Sequence, residues 1–358
     1  MFTHSGMSKK AWGEERRTVT IYDLNGHPLY TRRVRCPEYI GPRFLRERCQ
    51  GIFDNLIVST APQAILPSLD ALSPYIDRRT TICLNNEGLG LMEMLNERVF
   101  TEPAMRPNYV LCHSEHTIRR HSNLKYSLRH LPGKLNLHAV HRDDESPDLD
   151  WNTSEALGHQ HTRHMIKLLS AAEELDAVTL HWSVFLQRKL PGMIFSSLAD
   201  TLSVILGCRF DQIRNDRHAM FVWDRMLDET LRIVTSLPEF RLFPKSLESF
   251  RETFPGKLRR KLWARGTEYS TWISLVRRGH AVPIDFVNGY FVRRAQELGM
   301  NHEYNSQAIS LVKARHAGRY KELQLSIPFG LQPYMADLDM IGGGQEWYDP
   351  NLDMNLES

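Results

Sequence analysis

The sequence is poor in cysteine. Five residues in 358 (Cys36, Cys49, Cys83, Cys112 and Cys208) make an odd, scattered set without a C-x-x-C pair, which excludes a secreted disulfide framework and a zinc-ribbon pattern and leaves a reducing compartment as the default. No apolar run approaches the roughly 20 residues that cross a bilayer. Neither sign of charge dominates: 45 Lys+Arg face 42 Asp+Glu, a formal +3, too small a surplus to imply a nucleic-acid partner by itself. Repeats of solenoid type are absent. The first residues, MFTHSGMSKKAWGEERR, contain Glu14 and Glu15 and no apolar h-region, so they read poorly as a signal or transit segment. What is present is ordinary globular composition, 42% hydrophobic and 24% charged, over a length that favours two domains.

The first half alternates strands and helices. TVTIYDLNGHPLYTRRVR (18–35) brackets Asn25-Gly26 with alternating apolar residues, a hairpin signal because type I′ turns need positive φ at both central positions. FDNLIVSTAPQ and TTICLNNEGLG read as buried strands, PSLDALSPYI and the stretch from Met92 to Val99 as helices, and Tyr109 to Leu111 and Leu135 to Val140 as further strands. The alternation predicts an α/β domain with parallel strands. HRDDESPDLDWNTSE is a polar connection before a helix at 161–175. From Ser183 apolar residues recur every three or four positions, and the same pattern at 217–237, 266–278, 284–299 and 305–322 predicts an all-helical second half. From Leu331 onward the chain has six acids and no Lys or Arg, the composition of a disordered acidic tail. The expected organisation is a Rossmann-like domain at 1–182, a helical domain at 183–330 and a tail at 331–358.

LADTLSVILGC at 198–208 and IDFVNGYFVRRAQELGM at 284–300 give the chain a resemblance to the ketopantoate reductase (2-dehydropantoate 2-reductase) family. In the first half DNLIVSTAPQ falls where that family has a strand ending in a Lys-containing turn, and LNNEGLG where it has an Asn-Gly-x-Gly loop. The resemblance implies an α/β Rossmann-like domain followed by an all-α domain of the 6-phosphogluconate dehydrogenase type. The opening residues resemble the end of the family's second strand and the helix after it, so the first βαβ unit is expected to be missing from this sequence. A late start and a true loss of that unit both fit.

The family transfers hydride from NADPH to a 2-keto acid, which implies three needs. A glycine-rich turn must admit the pyrophosphate to backbone N–H groups. No G-x-G-x-x-G occurs, and Gly342 to Gly344 lie in the acidic tail without a preceding strand. A cation must polarise the keto oxygen and supply a proton. The gapless register places Gly192, Ser196 and Asp200 at the family's Lys, Asn and Asn, which removes the proton donor. Lys189 lies three residues upstream, a rotation of about 300° and an offset of about 4.5 Å on a helix, and Pro191 would have to shift the register to bring it into line. Finally, groups must hold the substrate hydroxyl and carboxylate. Ser270 and Thr271 keep hydroxyls, but the family's Glu is Pro283, its turn Lys is Thr60 and its loop Asn is Glu87, whose charge repels a keto acid.

Two basic segments stand out. His113 to Arg142 holds Arg119, Arg120, Lys125, Arg129, Lys134 and Arg142 against one acid, Glu115; KLRRKLWARG at 257–266 holds Arg259, Arg260 and Lys261. Both suit a solvated face and both suit a phosphate backbone. Trp223 and Trp263 fall among helical apolar positions and are expected in the core. His159, His161 and His164 lack an H-E-x-x-H arrangement, so no metal is expected.

The reading these observations favour is a pseudoenzyme that keeps the packing signature, carries no cofactor and acts by binding. Among fungal relatives of this fold is the mitochondrial translational activator of cytochrome b, which this chain resembles in its basic clusters and degenerate site. That resemblance implies a mitochondrial location and a mitochondrial mRNA or mitoribosome partner, with a homodimer as a further expectation. The alternative is a cytoplasmic NADPH-dependent 2-dehydropantoate 2-reductase using Lys189, Ser270 and Thr271, or a related reductase acting on another carbonyl compound.

Overall fold

The computed structural model of the protein describes residues 18–23, 27–33, 51–120, 127–140, 160–240 and 244–325. The chain divides into two compact units, one of residues 1–196 and 232–252, the other of residues 197–231 and 253–358.

In the first unit, β1 (Thr18–Tyr22) and β2 (Pro28–Arg33) pair antiparallel with Thr20 opposite Thr31, as the alternating pattern predicts; Asn25 and Gly26 lie outside the described residues. The chain continues through β3 (Asn55–Val58), α1 (Pro62–Leu72), β4 (Thr81–Leu84), α2 (Leu91–Arg98) and β5 (Asn108–Ser114). Then come β6 (Thr117–Arg120), β7 (Ser127–Leu131), β8 (Leu135–Ala139), α3 (Gln160–Ser170) and β9 (Ala177–Thr179). A five-stranded sheet has the order β3-β4-β5-β8-β9. Its β3, β4 and β5 run parallel, as expected from the strand-helix alternation, and β8 returns antiparallel to β5. The hairpin does not join it: β1 pairs in parallel with β7, giving a separate four-stranded sheet of order β2-β1-β7-β6.

Sequence dictates which strands are central. All of β4 (TICL) is buried, as a strand covered on both faces must be. Cys83, Val110, Cys112, Leu137 and Ala139 pack with Met165 and Ile166 of α3 in one apolar cluster. The two sheets are tied at His116. Its Nε2 lies 2.9 Å from the Leu175 carbonyl, and its Nδ1 accepts the Gly133 N–H at 3.1 Å. These partners require Nε2 to carry the proton, so His130 Nε2, 3.0 Å away, donates to Nδ1. Gly133 cannot be replaced cheaply here, because a Cβ would stand 2.5 Å from the Glu115 carbonyl carbon.

Helix α4 (Trp182–Leu206) follows β9. It is long and apolar enough to cross a membrane, but 72% of its apolar window is buried inside the fold, as a core helix requires. Its first turns pack on β8, where the Trp182 and Phe185 rings stand 5.1 and 5.9 Å from His138. The boundary between the two compact units falls inside this helix, between Ser196 and Ser197, and the change of sequence texture at 182/183 marks the start of the helix.

The second unit takes the remainder of α4, then α5 (Phe210–Asn215) and most of α6 (Arg217–Ser236). It resumes within α7 (Pro244–Arg265) and ends with α8 (Thr271–Arg277), α9 (Ile284–Glu297) and α10 (Glu303–Leu325). The periodic stretches are thus helices, with α8 shorter than the pattern suggests because Ser270 caps it by accepting the Trp272 N–H at 3.0 Å. Trp272, Ile273, Val276, Ile284, Val287 and Val312 form its apolar core with Val204.

A polar hub runs through this core. Asn288 donates to the Ser197 carbonyl at 3.1 Å and to Asn305 Oδ1 at 3.0 Å, and accepts from Thr201 at 3.1 Å. Asn305 in turn donates to Glu229 at 2.8 Å and to Thr230 at 3.1 Å. The Glu229 carboxylate also takes the Tyr304 and Asn305 N–H groups at 3.0 and 2.9 Å, satisfying orphan donors in the first turn of α10 from a different helix. The I-D-x-x-N-G run therefore serves packing.

The candidate carbonyl site at Lys189

In open α/β sheets, ligands bind beyond the carboxyl ends of the parallel strands. Here that edge carries Ser59 and Thr60 after β3, and Asn85 to Gly90 after β4. Asn85 bridges the two turns: its N–H donates to the Val58 carbonyl at 2.9 Å and its side-chain amide to Ser59 Oγ at 3.5 Å. Gly88 and Gly90 have φ of 87° and 95°, the left-handed conformation that lets the loop turn back into α2 without a Cβ penalty.

Into this edge α4 inserts a lysine. Helix α4 runs on through Pro191 without interruption, so the register shift considered for Lys189 does not occur. The side chain makes up the offset by its own length. Lys189 is only 4% exposed, and Nζ donates to the Asn86 carbonyl at 3.0 Å and the Cys112 carbonyl at 3.2 Å. Burial pulls its pKa down to about 8, against the opposing pull of the Cys112 thiol and the Glu87 carboxylate. Two ammonium hydrogens are committed to carbonyls and one is not. A proton donor that titrates near neutrality and has a free hydrogen is suited to polarising a carbonyl oxygen. Beneath it the Cys83 and Cys112 sulfurs lie 3.0 Å apart, and the hydrogen bond between them, with burial, pushes the Cys112 thiol far up.

The other positions are distributed differently. Gly192 and Ser196 are half-buried on α4, and a Cβ at Gly192 would meet nothing within 4 Å. Asp200 and Ser270, both buried, pair with each other: Ser270 Oγ donates to Asp200 Oδ1 at 2.6 Å while accepting the Trp272 N–H. The Ser270 proton is thereby spent on Asp200 and not available to a substrate hydroxyl. Thr271 is exposed, and Pro283 is buried as the residue preceding α9. Thr60 and Glu87 are exposed on the sheet's carboxyl edge. Sequence reasoning missed Asn86, whose backbone carbonyl anchors the lysine; only the Asn85-Asn86 doublet in LNNEGLG hinted at it.

The glycine turn at Gly88 and Gly90 is a poor cradle for a diphosphate. The sequence has no G-x-G-x-x-G, and β3 is the outer strand of its sheet among the described residues. The glycine turn that does exist on the carboxyl edge presents the Glu87 carboxylate and leads into a helix with Glu93 in its first turn, which disfavours a diphosphate there.

The basic segments are also resolved. Arg119 and Arg129 are cross-strand neighbours on β6 and β7, Lys134 is exposed 3.8 Å from Asp176, and Lys125 lies outside the described residues, as do Gly342 to Gly344, the acidic tail and His159. Arg259 pairs with Asp224 at 2.7 Å, and Arg260 and Lys261 are exposed on α7. Trp223 is buried as expected, but Trp263 is 64% exposed: Leu258 and Leu262 already supply the buried face of α7, which turns its neighbour outward. His161 lies 3.5 Å from Asp54.

A parallel-stranded α/β unit, a helical unit built on a buried Asn-Gly helix, and a lysine over the sheet's carboxyl edge define the ketopantoate reductase class of fold. Residues 185–316 match the model of the ketopantoate reductase PanE/ApbA C-terminal domain. The chain is 22% identical over 309 residues to the 2-dehydropantoate 2-reductase of Saccharomyces cerevisiae, covering 78% of this chain and 76% of that protein. The fold is similar to a PanE/ApbA family ketopantoate reductase from Ralstonia eutropha JMP134, at TM-score 0.59 and 13% identity over 86% of this chain and 88% of that one. A dimeric ketopantoate reductase from Staphylococcus aureus matches at TM-score 0.57 and 13% identity, over 87% and 95% of the two chains. Residues 185–316 thus carry the likeness to the PanE/ApbA C-terminal domain, and the fold of the chain is that of the ketopantoate reductases.

Proposed function

We propose that the protein acts by binding: a ketopantoate-reductase-fold protein that takes a small 2-oxo acid at Lys189 without reducing it. The observation that carries this reading is the buried ammonium with one uncommitted hydrogen. Holding its pKa near 8 rather than 10.5 costs about 3 kcal/mol of folding stability below neutral pH, a cost that a merely structural side chain has no reason to carry. Against reduction stand Glu87 and Pro283 and the commitment of Ser270 to Asp200. The expectation of a mitochondrial mRNA or mitoribosome partner rests on a resemblance in the basic segments and the degenerate site.

A second reading, an NADPH-dependent 2-dehydropantoate 2-reductase, draws on the name of the yeast relative and on the same lysine. One pair of measurements separates the two. Calorimetry with ketopantoate is expected to show binding that Lys189→Ala abolishes, while NADPH absorbance stays constant in the presence of both compounds. NADPH oxidation that depends on ketopantoate and disappears in Lys189→Ala would establish the reductase instead; absence of ketopantoate binding would remove both.

A further inference from the structure

The second basic segment does something that net charge does not show. On α7, Arg259, Arg260 and Trp263 stand three and four residues apart and so share one face, opposite the buried Leu258 and Leu262. On α6, Phe221 and Arg225 are likewise four apart on the exposed face, with Phe221 60% exposed. One ion pair joins the α6 and α7 faces, and a cation–π contact joins α5 to α7. Arg259 meets Asp224 of α6 at 2.7 Å, and Arg214 of α5 lies 4.4 Å over the Trp263 ring. The Arg225 guanidinium sits 5.2 Å over the Phe221 ring. The result is one surface within the second unit carrying two large exposed aromatic rings, each with an arginine against it. Its charged residues include Arg214, Arg225, Arg259 and Arg260 against Asp224 and Asp228, with Arg259 paired to Asp224, so cations outnumber acids among them.

We propose that this surface binds single-stranded nucleic acid, with Trp263 and Phe221 as stacking platforms for bases and Arg214, Arg225, Arg259 and Arg260 following the phosphates. The chemistry selects that partner. A phosphodiester strand supplies both the negative charge and the planar faces, and stacking on aromatic rings in a positive groove tolerates any sequence because every base has a π-face. The guanidinium over each ring restricts it before the ligand arrives, so less freedom is lost on binding. A membrane would meet the charge but would have no use for rings pinned by cations, and an acidic protein would meet the charge without stacking.

The inference is independent of the Lys189 site, and the test keeps the two apart. Anisotropy of a fluorescein-labelled oligouridylate of about 12 nucleotides is measured on the intact protein at low salt. Binding is expected, weakened about tenfold or more by Trp263→Ala and by Phe221→Ala and only slightly by Trp263→Phe. Arg260→Glu should weaken it and flatten its salt dependence, while Lys189→Ala should leave it unchanged. Circular dichroism checks that each variant is folded. No binding, or binding indifferent to both ring deletions, overturns the proposal. So does light scattering that shows the intact chain dimeric and Trp263→Ala monomeric with no oligouridylate bound by either, because the rings would then belong to a second copy of this chain.

Discussion

Lys189 and the Asp200–Ser270 pair are both candidates for the family's chemistry as read from sequence, yet the fold treats them oppositely. Lys189 is buried with its hydrogen bonds made to backbone carbonyls and the Phe185 ring 5.8 Å from its ammonium. Carbonyls accept but cannot neutralise, so the cation keeps its charge, a displaced pKa and a hydrogen to give. Asp200 and Ser270 satisfy each other at 2.6 Å, and the Trp272 N–H takes the remaining capacity of the hydroxyl. The first arrangement is held open at a cost in stability; the second is closed and stabilising. Burial of a polar group is thus not a sign of function. A buried polar group whose partners leave it incompletely paired is.

The sharpest way to break this contrast is at the lysine. Lys189→Ala should lower ketopantoate affinity by at least about 100-fold, the loss of a charged hydrogen bond and of a desolvated charge together, measured by calorimetry. Lys189→Met fills the same space without the charge and should raise stability by about 2–3 kcal/mol in urea titrations, because burial is what depresses the pKa. The sign is fixed by linkage: the folded pKa of about 8 lies below the unfolded 10.5. Between these values the unfolded chain binds more protons, so the wild type gains stability as pH rises through that window. The gap to the Met variant should close accordingly, while ketopantoate binding weakens above about pH 8 as the ammonium is lost. A Met variant no more stable than wild type at pH 7 would mean the lysine is fully compensated. Smallest is Ser270→Ala, expected to cost about 1–2 kcal/mol through the lost helix cap with ketopantoate affinity unchanged. A drop in affinity there would reopen the closed pair.

Much of the fold was legible because periodicity reports burial. The hairpin around 18–33, the parallel β3, β4 and β5, and the helices from 182 onward all follow from apolar spacing. What periodicity cannot report is partnership between distant segments. The parallel pairing of β1 with β7 joins residues more than a hundred positions apart, and nothing local in TVTIY marks it as leaving the main sheet. The same limit hid the lysine: register along a helix compares backbone positions, whereas the ammonium reaches its site through a side chain long enough to cover the offset. Trp263 failed in the other direction, since a spacing rule allows either of two neighbouring residues to face inward and Leu262 took the place.

The hub in the second unit sets an order of events during synthesis. Its members are Ser197, Thr201, Glu229, Asn288 and Asn305, and the last of them arrives with the final described helix. Until Asn305 has left the ribosome, Glu229 lacks its partners Tyr304 and Asn305 and Asn288 lacks one of its three, so the helices before it cannot close over an unsatisfied carboxylate. A nascent chain stopped short of residue 305 should therefore stay open to protease in this unit, and release of a few dozen more residues should shut it.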